Sequence, residues 1–576
     1  DAQTGEELER FDMVQHCHFG SPGEAHTHPD LSYDMRGYEQ SRRMAQGAAA
    51  QGGTYRVLPM PVESPNHGDF QLVSNPEDPF ASPYGWHDTD GQAGVEYTIT
   101  RGNNVHAYQD ASNLNQSIGD EPDGGPDLVF DFPYNKDDNP ESYQDAAVTN
   151  LFFWCNLVHD VWYHYGFDEH AGNFQENNFG LGGIGGDAIQ AEAQDGSGVN
   201  NANFYSEEDG STARIQMYLW DIQDKDTVIF EILSPDSAAG GYFAIPAEFN
   251  FPVQDPVIEG SLVRALDGSA APQEACDSIL NADELEGNIA LIDRGGCAFT
   301  DKVLRAQFAG ASAVIICNNE PGGPFEMEGF FTPDLMIPAL MIAQEDCMTL
   351  EQFLNGGMTA RILHEKTKVI LDGDFDSGII AHEYGHGLSS RMTGGPASPY
   401  CLVNPEQMGE GWSDFTGLLM TMKPGDQGTD VRGIGTFAIN QPITGDGIRP
   451  APYSTDFTVN PFTYKDSNNP DISVPHGVGF IWANALWEMT WDLIEVYGFD
   501  EDIYTGEGGN NIAIQLVTEG MKLQSCNPGM IDGRDAILLA DQLLYDGNNQ
   551  CLIWEAFARR GLGYSASQGS AFSRFD

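Results

Sequence analysis

Two histidines and a glutamate in the segment IIAHEYGHGLSS (residues 379–390) have the types and the spacing of a metal-dependent hydrolytic site. His382 and His386 are four positions apart, so on a helix both imidazoles lie on one face and can bind a single ion. Glu383 then lies beside them, where a general base can contact a metal-coordinated water. This HExxH pattern predicts a metal site with hydrolytic chemistry.

A second segment, GEGWSDF at 409–415, offers the other groups that such a site needs. A catalytic zinc ion with two histidine ligands takes a third protein ligand and keeps one position for water, whose pKa it lowers to about 7. Glu410 is the predicted third ligand, because it follows His386 by 24 residues on a probable second helix. Without the upstream HExxH motif, the same residue would indicate only a solvated helix carboxylate. Asp414 follows one helical turn later and is predicted to accept the free ring N–H of a ligating histidine.

Further polar residues could contact a substrate. An oxyanion formed on a carbonyl needs a hydrogen-bond donor, and His476 in ISVPHGVGF is the candidate, with Asp471 placed to orient it. Arg449 in GIRPAPYS could bind a substrate carbonyl. Structural alternatives stay open, because a histidine at a helix start often caps or packs and an arginine often forms a surface ion pair.

The segments that must position these groups differ in character. Residues 54–145 carry short β-type runs, and residues 146–166 have the periodicity of a helix, in which His159 and His164 are expected to pack. Residues 287–353 hold buried strand-like runs around an amphipathic helix, which predicts a βαβ-like unit. The C-terminal third of the chain is predicted to be mostly helical.

These segments predict four parts of the chain. Residues 1–50 are expected to be a propeptide remnant or linker, although the HCH run within them would also suit a metal. Residues 51–230 are expected to form a β-rich peptidase lobe, 231–366 an inserted domain, and 367–576 a helical lobe with the HExxH helix.

Several motifs in this order resemble the fungalysin metallopeptidases of the thermolysin-like gluzincin group. They include HEYGHGLSSRMTGG, GEGWSDF, VPHGVGFIWANALWEMTW and AGNFQENNFGLGGIGGDAIQ. The resemblance covers roughly 55–230 and 367–576 and implies an α+β, thermolysin-like, two-lobed fold with a β-rich N-terminal lobe and a helical C-terminal lobe. It also implies a secreted, extracellular zinc endopeptidase with one catalytic ion, acting on protein or peptide substrates.

The resemblance carries over to individual residues. It implies zinc on His382, His386 and Glu410, Glu383 as the base, His476 as the transition-state histidine, Asp471 as its carboxylate partner and Arg449 as the substrate-carbonyl arginine. Asn201 and Ala202 match the edge segment that pairs with a substrate backbone. Tyr400 lies where this group has a tyrosine that assists the oxyanion, but one residue from the simplest spacing.

Two other segments resemble known modules. The run GNIALIDRGGCAFTDKVLRAQFAGASAVIICNN resembles an α/β protease-associated domain, whose role is often substrate or partner contact. Residues 1–20 resemble the tail of the family's propeptide, which implies the chain's own propeptide as an inhibitor of a zymogen.

The net charge of the chain limits the classes of protein to which it could belong. The 576 residues include 26 basic and 87 acidic side chains, so the formal net charge is −61. This charge repels phosphate backbones, and no apolar run reaches the length of about 18–20 residues that a membrane span needs, so nucleic-acid binding and a membrane span are not expected. A saline habitat and an ordinary acidic secreted protein remain equal alternatives. We expect a monomer that tolerates salt and prefers cationic substrates.

Nine cysteines without a CxxC pair fit a secreted protein with two or three disulfides and at least one free thiol. The candidate pairs are Cys526–Cys551 and, within the expected inserted domain, Cys276–Cys297 or Cys317–Cys347.

Three aspartates alternate in LDGDFDSG, just before the HExxH motif: Asp372, Asp374 and Asp376. Oxygen donors at this density suit Ca²⁺, and an acidic loop with a helix cap is the alternative.

Two other functions compete with the endopeptidase. A zinc aminopeptidase shares HExxH and the downstream glutamate, but this chain lacks a GxMEN-type motif. A non-catalytic binding protein with a structural zinc would close the site with four protein ligands and would not need Glu383.

Overall fold

The computed structural model describes residues 51–575 except 93, 248, 250–256, 326, 328 and 330–334. The predicted propeptide remnant at 1–50 lies outside the described residues. The chain divides into two compact units, of which the second is Ile222–Val369 and the first is formed by the chain before and after it. The described residues are mixed α and β, as predicted.

The N-terminal part of the first unit builds short strands around one long helix. The helix is apolar on nearly every side, so it is buried along most of its length instead of presenting a single stripe. The elements are β1 (Thr54–Val57), β2 (Gln71–Ser74), β3 (Val105–Gln109), β4 (Val129–Phe130), α1 (Gln144–His164), β5 (Ile189–Ala193), β6 (Ala202–Tyr205) and β7 (Arg214–Met217).

These strands form two sheets. One has the order β2-β1-β4, and the other has the order β3-β5-β7-β6. In the second sheet β3, β5 and β7 are parallel, whereas β6 pairs antiparallel with β7 and forms an edge.

The predicted packing of the two histidines in α1 is confirmed. His159 is fully buried with Nδ1 2.9 Å from Asp160, and His164 Nε2 lies 2.9 Å from Asp78.

The second unit is built on a sheet of eight strands with the order β10-β14-β13-β12-β11-β15-β8-β9. Strands β11 to β14 are parallel neighbours, and the predicted strand–helix–strand unit is confirmed in β12, α3 and β13. The elements are β8 (Leu219–Ser234), β9 (Gly240–Tyr242), β10 (Ala244–Pro246), β11 (Val257–Arg264), α2 (Ala282–Leu285), β12 (Ile289–Asp293), α3 (Phe299–Phe308), β13 (Ala313–Cys317), β14 (Ala339–Ile342), α4 (Gln344–Glu351) and β15 (Thr359–Asp372).

The C-terminal part of the first unit is helical. Its elements are α5 (Ser377–Met392), α6 (Gly409–Met420), α7 (His476–Tyr497), α8 (Gly509–Leu523), α9 (Met530–Tyr545) and α10 (Gln550–Arg559). Among the described helices, none is long and apolar enough to cross a bilayer.

Three disulfides join described cysteines. Of the two candidate bonds within the expected inserted domain, both are present, Cys276–Cys297 and Cys317–Cys347. The predicted Cys526–Cys551 bond is wrong, because Cys526 bonds to Cys401, 125 residues earlier. Of the cysteines that the structure describes, Cys155 in α1 keeps a free thiol, which is buried.

Candidate metal centre and active-site cleft

Helix α5 carries the HExxH residues and begins at a side-chain cap. Asp376 accepts a hydrogen bond from the backbone N–H of Ile379 at 3.2 Å, which satisfies one of the free donors of the first turn. Gly385 lets α5 approach α6 closely, because a Cβ at this position would lie 2.7 Å from Ser413 Cα. The absence of a side chain at one position of α5 therefore fixes the distance between the two helices.

Helix α6 carries Glu410 and Asp414 and is held against α7 in the same way. A Cβ on Gly479 would lie 2.3 Å from Glu410 Cβ, and a Cβ on Gly411 would lie 2.3 Å from the carbonyl oxygen of Gly479. These two glycines bring the start of α7 against the first turn of α6, which places Glu410 beside the histidines of α5.

Three side chains converge at this junction. His382 Nε2 lies 3.4 Å from Glu410 Oε2, and His386 Nε2 lies 3.7 Å from Glu410 Oε1. Ligands held at about 2.0–2.1 Å from a tetrahedral zinc ion lie about 3.4 Å from one another, so these separations and this donor set fit zinc. His382, His386 and Glu410 could therefore hold one metal ion.

The protonation states of the three groups differ. Burial lowers the pKa of His386 to about 4, so its ring is neutral at pH 7, as a ligand must be. Burial disfavours the charged form of His382, but Asp414 and Glu410 outweigh it and raise its pKa to about 10. Burial likewise opposes ionisation of Glu410, yet His382 and His386 bring its pKa down to about 2. A metal ion must therefore displace a proton from His382.

Asp414 lies behind the three groups and is fully buried. Its Oδ1 is 2.8 Å from His382 Nδ1, at hydrogen-bond distance, although the ring N–H is not directed straight at the oxygen. Arg449 donates to both oxygens of Asp414 at 2.8 Å, and the Tyr453 hydroxyl donates to Oδ2. The alternative of a surface ion pair for Arg449 is wrong, since its side chain is only 4% exposed.

A cleft of about 610 Å³ opens over these groups within the first unit. Glu383 lines it, and burial followed by the charge of Glu410 raises the pKa of Glu383 to about 7. A carboxylate with this pKa can take up and release a proton near neutral pH. The lining residues are Asn200, Asn201, Ala202, Asn203, Phe204, Trp220, Ile379, His382, Glu383, His386, Ser390, Glu410, Ile434, Ile448, Arg449, Ser473 and His476.

The structure brings some of the other predicted residues to the cleft and not others. His476 is the first residue of α7, lines the cleft half-exposed, and has Nε2 3.5 Å from Glu410 Oε1. Asp471 is exposed, and its backbone N–H donates to Asn469. Tyr400 is 59% exposed and interacts with Tyr205 outside the set of lining residues.

The edge strand β6 forms one wall of the cleft. Asn201 and Ala202 both line it, and among the described strands β6 pairs with β7 alone. Its other side belongs to the edge of the sheet, where unpaired backbone groups can accept a further strand.

Sequence analysis missed several residues of the site. Tyr453 was not identified, although it lies in the same GIRPAPYS segment as Arg449. Three isoleucines in the cleft gave no signal, because isolated β-branched residues are ordinary core residues: Ile379, Ile434 and Ile448.

The aspartates proposed for Ca²⁺ have structural roles. Asp372 accepts from the backbone N–H of Asp374 and from Gln194, and Asp376 caps α5. These hydrogen bonds are those expected for the alternative interpretation, an acidic loop with a helix cap.

Comparison with known proteins agrees with this geometry. The family model for fungalysin metallopeptidase (M36) matches residues 54–566. The chain is 31% identical over 523 residues to extracellular metalloproteinase mep of Aspergillus flavus, covering 89% of this chain and 58% of that protein. It is 30% identical over 525 residues to extracellular metalloproteinase 2 of Trichophyton tonsurans, covering 89% and 59%.

Among solved structures, a zinc aminopeptidase from Bacillus subtilis matches with 25% identity over 27% of this chain and 35% of that chain. Its TM-score of 0.20 is too low to bear on the fold. The chain spans less than two thirds of the length of the curated relatives it matches, at 58% and 59%. Since the family model covers most of the sequence, this chain belongs to the fungalysin metallopeptidase family.

Proposed function

We propose that this chain is a secreted, extracellular zinc endopeptidase that hydrolyses internal peptide bonds of proteins or peptides. The observation that carries the proposal is the convergence of His382, His386 and Glu410 at tetrahedral spacing, with Glu383 beside them on an open cleft. Three protein ligands leave one position free, as in catalytic and not structural zinc sites.

A bound zinc ion would supply Lewis acidity to the water and to the substrate carbonyl. Glu383 accepts a proton from the attacking water and then donates it to the leaving amine, a role that suits its raised pKa. His476 donates to the developing oxyanion from the start of α7. Asp471 does not contact His476 in the described structure, so its orienting role and that of Tyr400 would need rearrangement on substrate binding.

Substrate binding is proposed to use the edge strand and the arginine. An extended peptide pairs with the backbone at Asn201 and Ala202, because β6 is the edge strand of its sheet among the described strands. Arg449 uses Nε and Nη2 for its carboxylate partners, which leaves Nη1 to bind a substrate carbonyl. The isoleucines of the cleft favour an apolar side chain next to the scissile bond.

Four features expected from the sequence remain predictions. They are the protease-associated identity of the second unit, inhibition by the chain's own propeptide, the monomeric state and the two-lobed thermolysin-like arrangement.

The test is turnover of an internally quenched peptide with both ends blocked. We expect hydrolysis that a chelator abolishes and zinc restores. Glu383→Gln should lower kcat/KM by about 10²–10⁴-fold while zinc stoichiometry stays at one. The exposed control Glu555→Gln should match the wild type. Full activity in Glu383→Gln, or cleavage only of peptides with a free amino terminus, would exclude the proposal, and the second result would indicate an aminopeptidase.

A further inference from the structure

A second cluster of acidic side chains lies away from the zinc ligands. Asp110, Glu192 and Asp195 are 2%, 0% and 1% exposed, and each offers one oxygen within 4.8 Å of the others. Asp110 follows β3, and its backbone N–H donates to Ala193 at the end of β5. The carboxyl ends of two parallel strands therefore bring the three carboxylates together.

The cluster is not neutralised by its described neighbours. Arg214 Nε lies 3.3 Å from Glu192 Oε1 and is the one basic group with a described ion pair to the three carboxylates. Three carboxylates and one guanidinium leave a charge of −2 when all are ionised. Buried charge of this kind is costly unless a counter-charge is present.

One oxygen of the cluster has no donor. The backbone N–H of Ser197 donates to Asp195 Oδ1 at 2.8 Å, whereas Asp195 Oδ2 is buried without a hydrogen-bond partner among the described residues. Among the described residues, Asp110 Oδ1 accepts one hydrogen bond, from the backbone N–H of Leu114, and Oδ2 accepts one, from that of Asn115. Each of these oxygens therefore retains acceptor capacity. These oxygens therefore keep free lone pairs in a buried cluster whose one described counter-charge is Arg214.

The chemistry of the cluster selects the occupant. Carboxylate oxygens bind hard cations. Two ligands on opposite sides of a Ca²⁺ ion, each at about 2.4 Å from it, lie about 4.8 Å apart. The three oxygens of the cluster all lie within this distance of one another. A divalent ion also matches the charge of −2. Mg²⁺ usually keeps several waters, for which three almost fully buried side chains leave little access. We propose that Asp110, Glu192 and Asp195 bind one Ca²⁺ ion.

The site would act on the cleft through the chain that follows it. Asp195 starts the segment that leads into β6, and the Ser197 hydroxyl donates to Tyr218, which also accepts from Asn203 of β6. A cation that fixes Asp195 therefore fixes the approach to the strand that lines the cleft.

The test uses the full chain, freed of metal ions on a chelating resin, reloaded with one equivalent of ZnCl₂ and then given CaCl₂, MgCl₂ or NaCl at equal ionic strength. We expect CaCl₂ at saturation to raise Tm by about 5 °C beyond NaCl, and MgCl₂ to raise it less. Asp195→Asn keeps the acceptor for Ser197 but removes one charge. It should abolish the calcium-specific rise and should not lower Tm in calcium-free buffer.

The matched control is Asp90→Asn, an exposed residue of a separate acidic group formed with the buried Asp88 and the exposed Glu96. It should retain the full calcium response. If Asp195→Asn fails to fold, Tb³⁺ luminescence of the wild type replaces it, because the Tyr108 hydroxyl donates to Glu192 at 2.9 Å and can sensitise a bound lanthanide.

Calcium should displace that signal, and Glu192→Gln should weaken Tb³⁺ binding at least about tenfold. The proposal is overturned if the wild type responds equally to calcium and sodium. It is also overturned if Asp195→Asn keeps the calcium response or if Asp90→Asn loses it.

Discussion

Arg449 and Asp414 form a bidentate ion pair inside the protein, with Nε and Nη2 each 2.8 Å from a different carboxylate oxygen. The same carboxylate lies 2.8 Å from His382 Nδ1. Asp414 therefore links the loop that carries the arginine to the helix that carries a metal-ligating histidine, and the two cannot move independently without exposing a buried charge.

Replacing this carboxylate should weaken metal binding. Asp414→Asn keeps the shape but leaves Arg449 without its charge partner and His382 without an anionic acceptor. We expect zinc affinity and kcat/KM to fall by about 10–100-fold. Competition with a zinc-binding dye and peptide turnover measure the two quantities. The exposed variant Asp430→Asn is the control, and an unchanged zinc affinity in Asp414→Asn would contradict the role given to this residue.

A methyl group at the α6–α7 contact should displace Glu410. In Gly479→Ala the added Cβ would lie 2.3 Å from Glu410 Cβ and 2.6 Å from the backbone nitrogen of Gly411. We expect a loss of about 1–3 kcal/mol in the free energy of unfolding and weaker zinc binding. Denaturant unfolding and zinc titration test both. Gly241→Ala, where a Cβ meets nothing within 4 Å, should change neither, and a fully zinc-competent Gly479→Ala would refute the close-contact argument.

His87 should make the protein sensitive to acid. Its Nε2 lies 2.8 Å from the Tyr55 hydroxyl and its Nδ1 lies 3.1 Å from the Arg101 carbonyl oxygen, and burial lowers its pKa from 6.5 to about 4. Between these pH values the unfolded chain binds a proton that the folded chain does not. Stability from this group is therefore complete above pH 6.5 and falls by up to about 3 kcal/mol on acidification to pH 4.

Denaturant midpoints of the wild type and His87→Gln, compared at several pH values from 7 to 4, measure this effect. The variant should be less stable at pH 7 but should lose less stability over the acidic range. Parallel curves for the two proteins would show that another group carries the dependence.

Asp374 should act in the opposite direction. Burial, followed by the charge of Asp372, raises the pKa of Asp374 well above 3.8. A carboxyl group with a raised folded-state pKa contributes stability at low pH that is lost as the pH rises through the folded-state value. Asp374→Asn should therefore be more stable than the wild type at pH 8–9 in calcium-free buffer, by at least about 1 kcal/mol, and the difference should shrink in acid. Thermal unfolding across this pH range tests the sign, and a variant that is less stable at alkaline pH would contradict it.

The parts of the site that sequence could predict depend on local geometry. His382, Glu383 and His386 share a helix, so their spacing alone places them on one face, and Glu410 needs only a second helix nearby. Asp471 shows the limit, because the direction of a side chain in an irregular loop does not follow from its distance along the chain.

The pairing of cysteines far apart in the sequence could not be predicted either. Nothing in the spacing of Cys526 distinguishes Cys551 from Cys401, because the bond depends on how the loop before α6 packs against the segment before α9. The buried setting of Arg449 likewise depends on tertiary contacts, so an arginine that sequence would place at the surface lies inside an ion-pair network.

The free thiol of Cys155 offers a way to time the opening of the first unit. It lies in the middle of α1 with no exposed surface, so a thiol-specific reagent in solvent reaches it only when the helix leaves its surroundings. Since burial also raises the pKa of this thiol, the reactive thiolate is suppressed until that moment. The rate of labelling at Cys155 therefore measures how fast the native structure around the helix is lost.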